Sequence, residues 1–422
     1  MIYKKDFPIF TNNPGLVFLD STSTTQKSSY VIDWVKDFYE NSYANIHRGS
    51  YDIALQTEKL YKQSKQKFAQ FVNAHSWREI IYTLNSTYAA NLLASSIART
   101  GMLQKWDVVL LSPVEHHANI VPWLILKEDI WIEIKYANLT EDYQLDLVDL
   151  EQKLANTKLK VVSLTHVSNV TWVIFPLEKV WAMIGEISSR HSVLDTESIK
   201  DISFPLFIID ASQSVPHFQV DVQKLHCDAM FCTAHKFWAE SGIGVLYGKQ
   251  TFLESLKPAF SWGWAISHVH EQSFTSAPLP EKFEPGTPNV SWAVSVLKAL
   301  EYIENIGGYT TIEAVEQELV EYFLQRVYEF NSWDSMKLIG SLSAENKVWV
   351  FSFTINWIHA LDIADALAEQ NICVRGWQHC AEPLMNYAWV SASVRVSFWI
   401  YTTKQDIDIF FETLEEVVGI LS

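Results

Sequence analysis

Between Asp107 and Thr233 the chain repeats one pattern: a short apolar run, then a stretch whose apolar residues recur at helical spacing. The runs are Val108–Leu111, Ile130–Tyr136, Val161–Thr165, Leu206–Asp210 and Ala229–Thr233, with helices expected around Val121–Lys127, Leu147–Asn156 and Leu177–His191. A strand that is apolar at every position must be covered on both faces, and strands joined through helices pair in parallel. The expected fold class is therefore α/β, a mostly parallel sheet covered by helices. In such sheets ligands gather beyond the carboxyl ends of the strands. His116, Asn169, Asp210 and Lys236 each stand just past such an end.

Two of these residues carry chemistry by type. A lysine held among apolar side chains gives up its proton more readily and becomes a Schiff-base nucleophile. An acid such as Asp210 is what a pyridine-type cofactor needs opposite its ring nitrogen, to keep the ring protonated and electron-poor. On local grounds alone the same pair also fits a surface lysine after a strand and an aspartate opening a turn. The segment after the strand-like Ile80–Thr83 is equally two-sided. Ser86 and Thr87 at the start of a helix suit a phosphate, which the first N–H groups and the helix dipole would face, but they also suit a plain helix cap.

Around this core, residues 1–19 are expected to form an arm ending in the strand Val17–Leu19. Amphipathic helices are expected at Ser29–Tyr39 and Leu55–Val72, and a long helix at Ser291–Ile306 opens a second region of helices and strands. We expect a large domain over 20–290 and a smaller α+β domain from 1–19 and 291–422. Residues 192–204 read as a surface insertion with no assigned role.

The balance of charge excludes several partners. With a net charge of −17 and no lysine-arginine block, neither nucleic acid nor an anionic membrane surface is expected. No apolar run is long enough to span a bilayer and the N-terminus lacks a signal-peptide core, so a cytoplasmic protein is expected. Cys227, Cys232, Cys373 and Cys380 show neither metal-ligand spacing nor a disulfide framework, in keeping with a reducing compartment and no metal.

Several blocks in order carry a family resemblance. They are Asn45-Ile46-His47-Arg48-Gly49; Glu115-His116-His117-Ala118-Asn119-Ile120-Val121-Pro122-Trp123; Thr165-His166-Val167-Ser168-Asn169; Ile209-Asp210-Ala211-Ser212-Gln213-Ser214; Thr233-Ala234-His235-Lys236 with Ser241-Gly242-Ile243-Gly244; Phe283-Glu284-Pro285-Gly286-Thr287-Pro288-Asn289; and Arg375 through His379-Cys380-Ala381-Glu382-Pro383-Leu384-Met385. Together they resemble the fold-type-I pyridoxal phosphate (PLP) enzymes, and among them the group II, sulfur-mobilising cysteine desulfurases of the class V aminotransferase family. The resemblance implies that Lys236 holds PLP as a Schiff base and later moves the Cα proton. It implies Asp210 at the pyridinium, His116 stacked on the ring, and Gln213 and Asn169 near the ring oxygen and the substrate carboxylate. Ser86, Thr87, Thr233 and His235 would hold the phosphate. Thr287 would reach the phosphate of a partner subunit in a homodimer. Arg395 would take the substrate carboxylate, with Arg375 beside it. Where the family has a glycine and a glutamate at the phosphate turn, this chain has Asn85 and Tyr88.

Cys380 separates a desulfurase from other members of the fold. A thiolate beside the positive charge of Arg375 and His379 can attack the substrate's sulfur. The implied reaction converts L-cysteine to L-alanine, leaves a persulfide on Cys380, and passes the sulfur to an acceptor protein for iron-sulfur cluster assembly. L-selenocysteine as substrate, or a non-catalytic scaffold on the same fold, stay open. Cys227, Cys232 and Cys373 sit in apolar runs and are expected to be buried.

One compositional feature stands apart. The chain has 17 tryptophans and 14 glycines in 422 residues, so glycine is at about half its usual share of roughly 7%. Against the family pattern, Trp106, Trp131, Trp172, Trp262, Trp264, Trp292, Trp349, Trp377, Trp389 and Trp399 stand where glycine is usual. Two explanations are open: real tryptophans with loops repacked around them, or codons that read as tryptophan but encode glycine.

Overall fold

The computed structural model describes residues 3–47, 49–191, 205–330, 336–340 and 348–421. Arg48 and the expected insertion at 192–204 lie outside the described residues. The chain opens with a short helix (Pro8–Asn12), followed by β1 (Val17–Phe18) and the helices Ser29–Asn41 and Asp52–Phe71. The helix Ser29–Asn41 is capped by Ser28, whose side chain accepts from Val31 N–H.

Seven strands then build the main sheet: β2 (Ile80–Thr83), β3 (Val108–Leu111), β4 (Glu133–Tyr136), β5 (Leu159–Thr165), β6 (Leu206–Asp210), β7 (Ala229–Thr233) and β8 (Gly244–Gly248). Their order is β2-β8-β7-β6-β5-β3-β4. The pairings β7–β6, β6–β5, β5–β3 and β3–β4 are parallel, while β8 runs antiparallel to both neighbours. Side chains leave a strand alternately on its two faces, and the core divides accordingly. Leu110, Leu164, Phe207, Ile209, Met230 and Val245 face one apolar cluster, while Leu111, Val161, Ile208, Phe231 and Leu246 face the other. Both faces of the inner strands are dry, which is why they read as unbroken apolar runs, whereas the edge strand β4 stays partly exposed.

The expected strand Ile130–Tyr136 begins later, at Glu133. The helix before it continues through Ile130, and Trp131 N–H closes its last turn on the Lys127 carbonyl at 3.1 Å. After a hairpin of β9 (Ile266–Val269) and β10 (Phe274–Ser276), the helix Val290–Asn305 packs across Ser29–Asn41 and Asp52–Phe71. A second sheet follows, built from β11 (Met336–Leu338), β12 (Val350–Ile355), β14 (Arg375–Trp377) and β15 (Ser393–Ser397) in the order β11-β12-β15-β14. The intervening β13 (Ile372–Cys373) pairs in parallel with β1, so the N-terminal arm is tied to the C-terminal part of the chain. Cys227 and Cys232 are buried as expected, but Cys373 is only half-buried, because its strand is one of a two-stranded edge pair.

Candidate active site

The carboxyl ends of β3, β6 and β7, all in the parallel part of the sheet, deliver three groups to one place. Asp210 is the last residue of β6 and is buried; its Oδ1 accepts from Ser212 N–H at 2.9 Å, and burial raises its carboxyl above the ordinary value. Thr233 ends β7, and the single turn Ala234–Lys236 that follows carries Lys236. Desolvation lowers the Lys236 amine to about 8, against the opposing pull of Asp210 and with a further push from Arg395. His116 caps a short turn after β3, and its Nδ1 accepts from Ala118 N–H at 3.1 Å. Burial, then the Lys236 charge, push its imidazole down to about 3, so the ring is neutral.

The remaining residues expected around this group fall into three sets. Gln213 is buried and donates Nε2–H to the Thr22 carbonyl at 3.2 Å. Asn169, just past β5, donates Nδ2–H to the His379 carbonyl at 2.8 Å, while its own carbonyl accepts from Arg395 Nη1 at 3.2 Å. His235 is driven down to about 3 by burial and the neighbouring lysines, and its carbonyl accepts from Thr25 Oγ1 at 3.0 Å.

Ser86 and Thr87 open the helix Ser86–Thr100, but the cap itself is Asn85, whose side chain accepts from Tyr88 N–H at 2.8 Å. The backbone of Gly244 lies against that of Asn85, and any side chain on Gly244 would collide with it. Thr287 is not brought to the Lys236 group. It is exposed and lines a pocket of about 400 Å³ with Thr83, Tyr88 and Trp292.

The Cys380 loop closes over the group from the second sheet. Cys380 is exposed, and its charge, like that of Asp210, reaches the Lys236 amine. The backbone holds it: both His379 and Cys380 adopt positive φ, 54° and 55°. Arg395, on β15, is buried, and its Nη2 donates to Asp20 Oδ1 at 3.2 Å and Ser23 Oγ at 2.6 Å. Arg375, on β14, is exposed and donates to Asp20 Oδ2 at 3.0 Å.

One expectation fails here. His379 supplies no positive charge to Cys380, because burial and the nearby arginines hold its imidazole well below the ordinary value. It spends Nε2 on Ser393 instead, at 2.9 Å from Oγ.

A buried lysine with a lowered amine, an aspartate one strand away, a neutral histidine and an exposed thiol in one cluster match the chemistry of a known family. The family model described as Aminotransferase class-V matches residues 17–410. The chain belongs to that family. Among its class-V relatives, a probable cysteine desulfurase of Halalkalibacterium halodurans is 35% identical, covering 98% of this chain and 96% of that protein. A probable cysteine desulfurase of Streptomyces coelicolor is 36% identical over 98% of this chain and 96% of the relative. Among solved structures, the apo cysteine desulfurase of Thermococcus onnurineus superposes with a TM-score of 0.89 at 28% identity, covering 100% of this chain and 98% of that one.

Within this class-V fold, four residues near the site escaped the sequence reading. Asp20 bridges Arg375 and Arg395. Glu115 is buried and pushed up to about 7; it accepts from Ser112 Oγ, Asn119 Nδ2 and Thr165 N–H, which locks the His116 turn onto the end of β5. His117 takes the Cys380 loop from two sides: its N–H donates to the Cys380 carbonyl at 2.8 Å, and its Nε2 accepts from Glu382 N–H at 3.1 Å. Lys27 donates to the Thr25 and His235 carbonyls under the Lys236 turn, and burial lowers its amine to about 8. The block Glu115-His116-His117 was itself a signal for the middle pair. Asp20 and Lys27 offered none beyond their place in a Ser/Thr-rich loop.

Proposed function

We propose that this protein is a PLP-dependent cysteine desulfurase that converts L-cysteine to L-alanine and leaves a persulfide on Cys380. The observation that carries the reading is one cluster holding a lowered lysine amine, an aspartate, an arginine and an exposed thiol. The residues fit the cofactor on independent grounds. Thr233 Oγ1 and Ser212 Oγ are buried without a hydrogen-bond partner among the described residues, as hydroxyls waiting for a polar ligand would be. Arg395 Nε is likewise buried and unpartnered, although both of its Nη groups are used.

In this reading Lys236 Nζ would hold the cofactor covalently, Asp210 would pair with its ring nitrogen, and His116, Gln213 and Asn169 would contact its ring. Thr233, His235, Ser86 and Thr87 would hold its phosphate. When bound, PLP supplies an electron sink that weakens the bonds around the substrate Cα.

This chain's own groups do the rest. Arg395, fixed by Asp20 and Ser23, offers its free Nε–H to the substrate carboxylate, with Arg375 at the rim. Lys236 Nζ takes the Cα proton and later returns one. The Cys380 thiolate attacks the substrate sulfur; the new S–S bond forms as the C–S bond breaks, and the electron pair left on carbon is quenched by a proton to give alanine.

Exposure of Cys380 suits delivery of the sulfur to an acceptor protein, for which iron-sulfur cluster assembly is the proposed use. The exposed Thr287 beside an open pocket suits a second copy of the chain and a homodimer. Four free cysteines suit the cytoplasm. No helix among the described residues is long and apolar enough to cross a membrane. The test of the whole reading is absorbance of the purified protein with PLP, then again with Lys236→Ala. Loss of the visible band is expected, and an unchanged band would refute the assignment of Lys236.

A further inference from the structure

Seven tryptophans sit at positive φ: Trp106 at 72°, Trp131 at 64°, Trp172 at 56°, Trp238 at 69°, Trp264 at 76°, Trp357 at 70° and Trp389 at 58°. They are half of the fourteen non-glycine residues in that region among the described residues, and they equal the seven glycines found there. A bulky L-residue in the left-handed region is a genuine outlier, whereas glycine enters it without steric cost.

Local hydrogen bonding shows what these positions are built for. The helix Ser86–Thr100 ends on Gly101 at φ 85°, with Met102 N–H reaching back to the Ile97 carbonyl at 3.3 Å. The helix Glu382–Tyr387 ends in the same way on Trp389, with Val390 N–H reaching the Met385 carbonyl at 3.0 Å. Trp131 occupies the equivalent left-handed position after Val121–Ile130. This is the glycine site that commonly closes a helix. Trp357 is the third residue of a turn closed by Ile358 N–H to Ile355 carbonyl at 3.3 Å. A positive φ at that place asks for glycine or asparagine.

Trp172 and Trp238 are fully buried, but the most exposed indoles of the set gain little from packing. Trp357 is 100% exposed and Trp389 94%, so neither ring is packed. In the interior, Trp238, Trp349 and Trp399 touch one another, with ring centroids 5.2 and 5.0 Å apart, and each leaves its indole N–H buried without a partner. Buried tryptophans ordinarily find one. Trp123 is the contrast: it lies inside a helix at 2% exposure in ordinary helical conformation.

We infer that the protein as its own cell makes it carries glycine at these seven positions. The codon there, read as tryptophan under one genetic code, would be decoded as glycine in the source organism. Trp238 and Trp357 join the set on conformation alone. Trp106, Trp131, Trp172, Trp264 and Trp389 join it on conformation and because they stand where glycine is usual in the family pattern. Trp262, Trp292, Trp349, Trp377 and Trp399 lack the positive φ, so the inference leaves them out, although the Trp292 ring crowds Gly242 beside the Thr287 pocket.

The test is peptide mass spectrometry on the protein isolated from its native host, reading residues 131, 357 and 389, with Trp123 as the in-chain reference. Glycine at all three is expected, and tryptophan at any of them overturns the inference for that position. A second measurement keeps the structural ground falsifiable. Two forms made in a standard-code host, one as written and one with glycine at the exposed positions 106, 131, 357 and 389, are compared by thermal unfolding. The glycine form is expected to unfold at higher temperature, or alone to fold; an equal or lower midpoint contradicts the argument from conformation.

Discussion

At the scale of single residues, the site works by setting protonation states through burial. Lys236 is lowered to about 8, so its amine is neutral over a range where a free lysine near 10.5 is still charged. The sign is direct: only the neutral amine is a nucleophile, so PLP capture by the apo protein should accelerate as pH rises and level off above about 8. A stopped-flow series from pH 6.5 to 9.5 measures this, and a rate still climbing tenfold per unit at pH 9.5 would contradict it. His117 acts on Cys380 without touching substrate. Replacing it with Ala removes the acceptor for Glu382 N–H, and the loosened loop should cost roughly ten- to a hundredfold in turnover, since small misplacements of reacting groups are expensive. His117→Gln keeps an acceptor and should restore much of it, and the PLP spectrum should not change in either variant. Equal turnover in the wild type and His117→Ala would show that the side-chain hydrogen bond to Glu382 positions nothing. Lys236, Asp210 and His116 were legible because each follows its own strand within a few residues. Asp20 and His117 were not: their partners Arg375 and Glu382 lie 355 and 265 residues away, and no local pattern encodes such a meeting.

At the scale of elements, the strands were read from runs that bury both faces, and their ends set the site. The antiparallel β8 could not be read from the same signal, because a doubly covered strand looks alike in either direction. Helix ends carried the strongest local conflict. A tryptophan in the left-handed position after Val121–Ile130 stores strain of order 1–2 kcal/mol, and its ring is 61% exposed, so little burial offsets it. Trp131→Gly should therefore raise stability by about 1 kcal/mol, read as a shift in the chemical denaturation midpoint with an unchanged slope. The cap at the other kind of helix end points the opposite way. Asn85→Ala removes the acceptor of Tyr88 N–H and should cost about 1 kcal/mol. It should also weaken phosphate affinity, because the first N–H groups of Ser86–Thr100 lose their alignment.

At the scale of the whole molecule, buried titratable groups couple the fold to pH. His116 and His235 are held near about 3, His166 near about 4, and His379 well below the ordinary value, all chiefly by desolvation. For a depressed base the contribution to stability is complete above the unfolded value of about 6.5 and is lost as pH falls toward the folded one. Glu115, raised to about 7, has the opposite sign: its contribution is complete below about 4.5 and is lost as pH rises through 7. The four histidines act against the raised carboxyls of Glu115, Asp210 and Glu316, and they outnumber them between pH 7.5 and 5. The thermal midpoint of the apo protein should fall across that window, and a rising midpoint would contradict the burial of those rings. The same assembly brings residues from β3, β5, β6, β7 and the β14–β15 sheet onto one thiol and one amine, and the proposed chemistry depends on that convergence. The most direct measurement is alanine and sulfide release from L-cysteine by PLP-loaded protein, wild type against Cys380→Ala. The account predicts an unchanged cofactor spectrum with release down by orders of magnitude; full release by Cys380→Ala would contradict it.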